Sequence, residues 1–286
     1  MIRRKRQKTM LVVVGALLCA IGIVLIFFNI PCSKTRTEFE KAAAELIAEA
    51  DHPEDVFQEE DIAGLPEPVQ RYFRSCGYLG KPKMAYIKIF YQDVAFSFGR
   101  DKPPLKIDYT QYNDAKTPDR IAYIDSSMVG IPFEGLDAYL DGAGSMKGIL
   151  AKVFPLFSYT GKDMDRSCLV TFLSECLFVP TAALQEFIEW EPVDDLHAKA
   201  TISYSGLSAC GVFTFDENGE MLAFQTDDRS AAQSDGSAKN VPWSIVCGAY
   251  REEDGIKRPT VFQAIWHYDD GDLIYFDGKG TITAYK

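Results

Sequence analysis

The chain has 286 residues, 47% of them hydrophobic and 13% aromatic, which is enough for a large core and too apolar for intrinsic disorder. Its 41 acidic residues outnumber 30 basic ones, for a net charge of −11. Five of the cations, Arg3, Arg4, Lys5, Arg6 and Lys8, crowd the N-terminus, so the rest carries −16. Such a field repels nucleic acid and anionic lipid headgroups, and both drop out as direct partners of the surface.

Met10 to Phe28 contains no charged residue. Nineteen residues rising about 1.5 Å each give roughly 28 Å of helix, the thickness of a hydrocarbon core. Cations on one side only predict a cytoplasmic N-terminus and an extracytoplasmic remainder. The apolar run exceeds the core of about 7–15 residues in a cleaved signal peptide. Asn29-Ile30-Pro31-Cys32-Ser33 also lacks a small-x-small exit, and Pro31 stands where a lipidated Cys32 needs a small residue. A single-pass, uncleaved anchor in the cell membrane is the preferred reading. Gly15, Ala16, Ala20 and Gly22 offer small residues for helix pairing but no GxxxG spacing.

Beyond the anchor, Glu38 to Ala50 puts Phe39, Ala43, Leu46, Ile47 and Ala50 on one helical face. Asp51 to Asp61 reads as an acidic linker. A second helix opens at Leu65-Pro66-Glu67-Pro68, with Val69, Tyr72, Phe73 and Cys76 as its stripe and Gly77 as its cap. From Met84 the period becomes two, with strands near 84–98, 105–112 and 119–126. The glycine-rich, then apolar stretch Gly142 to Thr160 predicts a loop and short helix, a lid or gate at 145–157. After Asp165, Leu169, Phe172, Leu173, Cys176 and Leu177 follow helical spacing, and Pro180 ends the helix. Ala198 to Ser205 alternates strictly. Asn218-Gly219, Asp254-Gly255 and Asp270-Gly271 then mark hairpins between strands near 206–216, 220–227, 242–251, 256–268 and 272–285.

The expected fold is α+β and mainly antiparallel β: a curled sheet or open half-barrel with packing helices, after one N-terminal transmembrane helix. The division is a basic tail at 1–9, the anchor at 10–30, a juxtamembrane helix and linker at 31–64, and a β-rich extracytoplasmic domain at 65–286.

Several segments together resemble an uncharacterised bacterial domain family with an LPxPVxRY motif, matched by Leu65, Pro66, Pro68, Val69, Arg71 and Tyr72. A G-x-G-x-M stretch (Gly142, Gly144, Met146) and an arginine–glutamate helix leading into Pro180-Thr181-Ala182 (Arg166, Glu175) belong to the same resemblance. So do Trp190 with Asp195, Asp228-Arg229, Pro242-Trp243, Tyr250, Gly255, Pro259 and Trp266. The resemblance covers about 65–286 and implies no known activity. More loosely, helix plus curled antiparallel sheet is similar to Lol-type lipoprotein carriers, which implies a cup for acyl chains.

No motif for a metal or cofactor is present: the seven cysteines contain no CxxC, and no HExxH or GxSxG occurs. Cys168 and Cys176, on one helix with Cα atoms about 12 Å apart, are too distant to bridge. Of the acidic clusters 194–195, 227–228, 252–254 and 269–272, the last two coincide with expected hairpin turns, where aspartate is favoured locally, and turn chemistry is preferred over paired catalytic carboxylates. Candidate catalytic groups are Glu175, Asp228 and His267. Glu175 follows an apolar face, where its pKa rises; a buried ion pair with Arg229 is preferred over a catalytic acid. Candidate ligand-binding residues are Met146, Phe154, Phe157, Trp190, Arg229, Trp243, Tyr250 and Trp266, lining the concave face of the sheet. The leading reading is a membrane-tethered domain binding a hydrophobic or amphiphilic, lipid-like ligand in a half-barrel cup. Alternatives are a hydrolase using Glu175 or an aspartate pair, which fails if Glu175 is paired with arginine in the core, and a structural or sensory module binding an envelope protein. Ligand, partner and oligomeric state stay open.

Overall fold

The computed structural model describes residues 2–50, 55–100, 102–232 and 238–285, so part of the linker expected at 51–61 lies outside the described residues. Helix α1 (Ile2–Asn29) is continuous, and its apolar side chains from Met10 onward stand exposed. By length and composition it suits a membrane crossing. Ser33 then caps α2 (Lys34–Glu49), its hydroxyl accepting the Arg36 N–H at 3.0 Å. The α2 stripe of Phe39, Ala43 and Leu46 buries against Tyr86, Ile121, Tyr123 and Ala138, a small core of its own.

A short turn, α3 (Glu59–Ile62), leads to α4 (Glu67–Ser75), with Pro68 inside its first turn. Val69, Tyr72 and Phe73 are fully buried, and the Tyr72 hydroxyl donates to the Leu177 carbonyl at 2.7 Å. The tyrosine of the LPxPVxRY segment thus ties α4 to the chain that follows the long inner helix.

Strands β1 (Tyr86–Phe96), β2 (Leu105–Asp114), β3 (Arg120–Met128), β4 (Ile131–Leu140), β5 (Ala143–Leu150) and β6 (Phe154–Thr160) meander to one sheet edge. Helix α5 (Lys162–Glu175) crosses over. From the other edge come β7 (Ile188–Pro192), β8 (His197–Tyr204), β9 (Leu207–Phe215) and β10 (Met221–Thr226). A side hairpin, β11 (Ser230–Ala232) and β12 (Ala238–Asn240), precedes β13 (Trp243–Gly248). A second one, β14 (Arg251–Glu253) and β15 (Ile256–Arg258), precedes β16 (Val261–Tyr268) and β17 (Gly271–Tyr285). β17 pairs with β1 and joins the two halves into one thirteen-stranded antiparallel sheet. The three Asx-Gly dipeptides make the β9–β10, β14–β15 and β16–β17 turns.

A sheet this wide cannot stay flat. Helix α5 touches β4, β5 and β6 from one half and β8 and β9 from the other, so the sheet curls around it. The edge strands β6 and β7 do not pair with each other among the described residues, which leaves an open half-barrel. One large core, with Phe172, Leu173, Phe213, Phe215, Phe224 and Trp243 at its centre, fills the concave side.

The structure corrects the expectation at 142–160: this segment is the β5–β6 hairpin, not a loop with a short helix. Its glycines have separate jobs. Gly142 turns the chain at φ 81°, while Gly144 lets the start of α5 approach, donating its N–H to the Asp165 carboxylate at 2.7 Å. These small residues hide a period-two pattern in which Gly144, Met146 and Gly148 face inward. β4 went unanticipated because it buries Glu134 and carries Asp137 along an otherwise apolar strand.

A Cβ at position 144 would stand 2.6 Å from the Met164 carbonyl oxygen and 2.8 Å from the Asp165 Cα. Gly144→Ala is therefore expected to cost about 1–3 kcal/mol by overpacking against backbone, read as a lower urea midpoint at unchanged slope. An unchanged midpoint would show that α5 shifts freely.

Candidate functional site

The concave face holds a cavity of about 130 Å³ between α5 and the middle of the sheet. Two kinds of wall meet there. On the β2–β4 side the inward positions of alternating strands are polar: Tyr109 and Gln111 from β2, Arg120 from β3 and Asp137 from β4, with Glu175 reaching down from the last turn of α5. Met146, the cross-strand partner of Asp137 on β5, extends that side, and the opposite wall is apolar and aromatic, with Phe178, Trp243, Phe262, Tyr275 and Phe276. Tyr275 is an extra residue in a β-bulge of β17, between the Ala264–Phe276 and Ile265–Ile274 pairs, and so lines the cavity together with its neighbour.

Arg120 is 1% exposed. Its Nη1 meets Asp137 at 2.9 Å, its Nη2 donates to the Tyr109 hydroxyl at 2.9 Å, and its Nε lies 3.6 Å from Glu175. Glu175 also accepts from Gln111 at 2.6 Å and from Asn113 at 2.8 Å. Burial pushes the Glu175 pKa up, and Arg120 with the two amides offsets part of the rise. The sequence expected Arg229 as the partner of Glu175. The partner is Arg120, which has no neighbour relation to Glu175 along the chain. One Glu175 oxygen, Oε2, is thus committed to an arginine and two amides, the arrangement of a buried ion pair.

Asp228 turns away from the cavity and accepts the Cys210 N–H at 2.8 Å. Arg229 lies in the cavity wall, its guanidinium 4.0 Å above the Trp243 ring and 5.4 Å from that of Trp266. Trp266 stacks on Tyr275 behind that wall. Met146, Arg229, Trp243 and Trp266 are thus gathered in one place. The other candidates are elsewhere. Trp190 packs on Phe213 and donates its Nε1–H to the Ala183 carbonyl at 2.9 Å, while Tyr250 donates to the Met221 carbonyl at 2.9 Å. Phe157 packs on Phe98 near the β6 edge, and Phe154 is 64% exposed at the β5–β6 tip. The acidic turn clusters act locally: Asp194 accepts from the Leu196 N–H and Asp216 from the Glu220 N–H.

His267 lies on the opposite face of the sheet from Trp266. Its Nε2 is 2.8 Å from the Ser244 hydroxyl and its Nδ1 is 2.8 Å from Asp272, the connectivity of a serine–histidine–aspartate triad. Three observations separate it from a working one. Ser244 is 2% exposed, β13 is paired on both sides so its N–H groups serve the ladder, and Ser244 lines neither the cavity beside α5 nor the one at the end of α1. Among the described residues the hydroxyl is therefore shielded and no free N–H faces it as an oxyanion donor. Among the described residues no group of three His, Cys, Asp or Glu could hold a metal ion.

The polar wall was missed from the sequence. Its trace was there, in Tyr109, Gln111 and Asn113 at the inward positions of β2, where apolar residues are expected.

Residues 55–278 match a family of unknown function, DUF6544, and the chain belongs to that family. Among solved structures it is similar to a LolA superfamily protein from Nitrosomonas europaea, at 10% identity and a TM-score of 0.39, over 74% of this chain and 91% of that one. It is also similar to a DUF1329 family protein from Desulfovibrio piger, at 11% identity and a TM-score of 0.30, over 75% and 92%. No curated protein is similar to this chain in sequence.

Two measurements probe the site. The folded Glu175 carboxyl holds its proton above the ordinary value of 4.5, so its stabilising contribution is complete below that value and is lost as pH rises through the raised one. The Tm of the wild type relative to Glu175→Gln should therefore fall between pH 4 and pH 7, values set by about the ordinary glutamate range and neutrality. A difference that instead rises with pH would mean that Arg120 outweighs burial. Incubation with an alkyl fluorophosphonate should leave Ser244 unmodified by mass spectrometry; labelling would restore the hydrolase reading.

Proposed function

We propose that this protein is a membrane-tethered extracytoplasmic domain that holds the acyl or other apolar part of an amphiphilic ligand in the cup of its open half-barrel. The observation that carries this reading is the cavity of about 130 Å³ with an aromatic wall, lying between α5 and the sheet. Apolar space of this kind in a core normally closed to native density is a binding feature by default. The anchor reading of α1 rests on its length, its apolar composition and the five cations before it.

Orientation to the bilayer follows from the hairpin tips. Met128, Val129 and Ile131 at the β3–β4 turn, and Val153, Phe154 and Leu156 at the β5–β6 turn, are exposed apolar residues at one end of the sheet, with Val129 at 103%. The same end meets the C-terminus of α1. Lys152 at the β5–β6 turn donates to the carbonyls of Phe27 and Ile30, which a helix end otherwise leaves unsatisfied. In water these tips are an exposed apolar patch; seated in the outer leaflet beside the anchor they are matched by lipid. The 145–157 segment then touches membrane with its tip and the cavity with Met146.

The test uses the full chain in phosphatidylcholine nanodiscs with a diazirine-bearing acyl chain. Photocross-links are expected at cavity residues such as Met146, Tyr275 and Phe276, and should disappear in Ala264→Trp, which fills the cavity from β16. Cross-links confined to residues 10–30 would overturn the reading. Nitroxides at Val129→Cys and Phe154→Cys, with the exposed Cys19 and Cys32 replaced by serine, should be more accessible to oxygen than to a water-soluble nickel chelate. One at Lys116→Cys, in the turn at the other end of β3, should show the reverse.

A further inference from the structure

Arg229 is the unexplained group in the cavity. Its Nε and Nη1 atoms are shut off from solvent and have no hydrogen-bond partner among the described residues. Its neighbour in sequence, Asp228, spends its carboxylate on the Cys210 N–H. The other cation of the cavity, Arg120, is already matched by Asp137 and Glu175. The guanidinium lies over the Trp243 ring, and two of its three nitrogens have lost solvent without receiving acceptors among the described residues. Buried polar atoms in native structures rarely stay unmatched.

We infer that Arg229 is the head-group site of the cup: it takes an oxyanion, a phosphate or carboxylate, at the end of an apolar chain that lies along the Trp243, Phe262, Tyr275 and Phe276 wall. Three features point to this class of ligand. The fork of a guanidinium fits two oxygens of one planar or tetrahedral anion. Stacking on Trp243 and proximity to Trp266 fix its plane, so little freedom is lost when the anion arrives. The two carboxylates that line the cavity, Asp137 and Glu175, are both spent on Arg120, which leaves Arg229 without a counter-charge there. The overall charge of −11 is no obstacle here. It acts on extended anionic surfaces through a screening length of about 8 Å, whereas a single anion inside the cup meets the local field of Arg229.

This inference rests on the cup reading, and the experiment separates the two. Full-length protein in phosphatidylcholine nanodiscs is titrated with two photoreactive probes of identical tail, an alkyl phosphate and the corresponding alcohol, and cavity cross-links are quantified. The wild type is expected to take the phosphate about tenfold more tightly than the alcohol, the scale of one charge-assisted contact. Arg229→Gln should bring the ratio of the two probes to about one, and alcohol cross-links that still fall on cavity residues show that the variant cup is intact. Arg229→Lys, which keeps the charge and loses the fork, should retain only part of the preference. Equal binding of both probes by the wild type overturns the head-group assignment and leaves the cup standing. Absence of cavity cross-links with either probe overturns the cup itself. Displacement of the alkyl phosphate by an equal concentration of inorganic phosphate would also overturn the assignment, because the apolar chain would then add nothing.

Discussion

The architecture depends on α5 lying in the concavity of a sheet that has nowhere else to put its twist. Thirteen antiparallel strands accumulate enough twist to roll up, and the helix between the two half-meanders fixes how far they roll. Its N-terminal end is seated through Gly144 and Asp165, and the chain beyond its C-terminal end is held by the Tyr72 hydroxyl on the Leu177 carbonyl. Both anchor points fall in segments that stand out in the sequence, the G-x-G-x-M stretch and LPxPVxRY. Those segments hold the cup in shape, and of their side chains only Met146 lines the cavity.

A buried arginine is costly unless its partners are complete. Arg120 has two carboxylates within ion-pair distance, Asp137 and Glu175, and the Tyr109 hydroxyl besides, although its Nε makes no hydrogen bond; Arg229 has no carboxylate partner among the described residues. Two guanidiniums in the same cavity are therefore in different chemical states. One is structural and welds β2, β3, β4 and α5 together. The other has its plane set by stacked indoles and its donors left over.

Elements governed by local chemistry were legible in the sequence. The apolar run before Asn29, the amphipathic stripe of α5 and the turns at Asn218-Gly219, Asp254-Gly255 and Asp270-Gly271 each follow from adjacent residues, and each formed as expected. What failed was non-local. The β5–β6 hairpin hid behind glycines whose role is to admit a helix far along the chain. Glu175 was recognised as buried, but its arginine lies 55 positions earlier, on a strand whose register no local pattern reveals. Of the aromatic candidates, Trp243 and Trp266 gather at Arg229 while Trp190 and Tyr250 do not. All share inward positions, and only the curl of the sheet and the bulge at Tyr275 decide which of them meet.

The unjoined edges carry a further consequence. In a closed barrel the radius is fixed by strand number and shear, and it cannot change without breaking ladder hydrogen bonds. Here β6 and β7 do not pair with each other among the described residues, so no ladder hydrogen bond between them fixes the curvature. The cup volume is then an adjustable quantity, set by how deeply α5 is seated. A change in that volume would come from lifting one helix, with no strand pair lost.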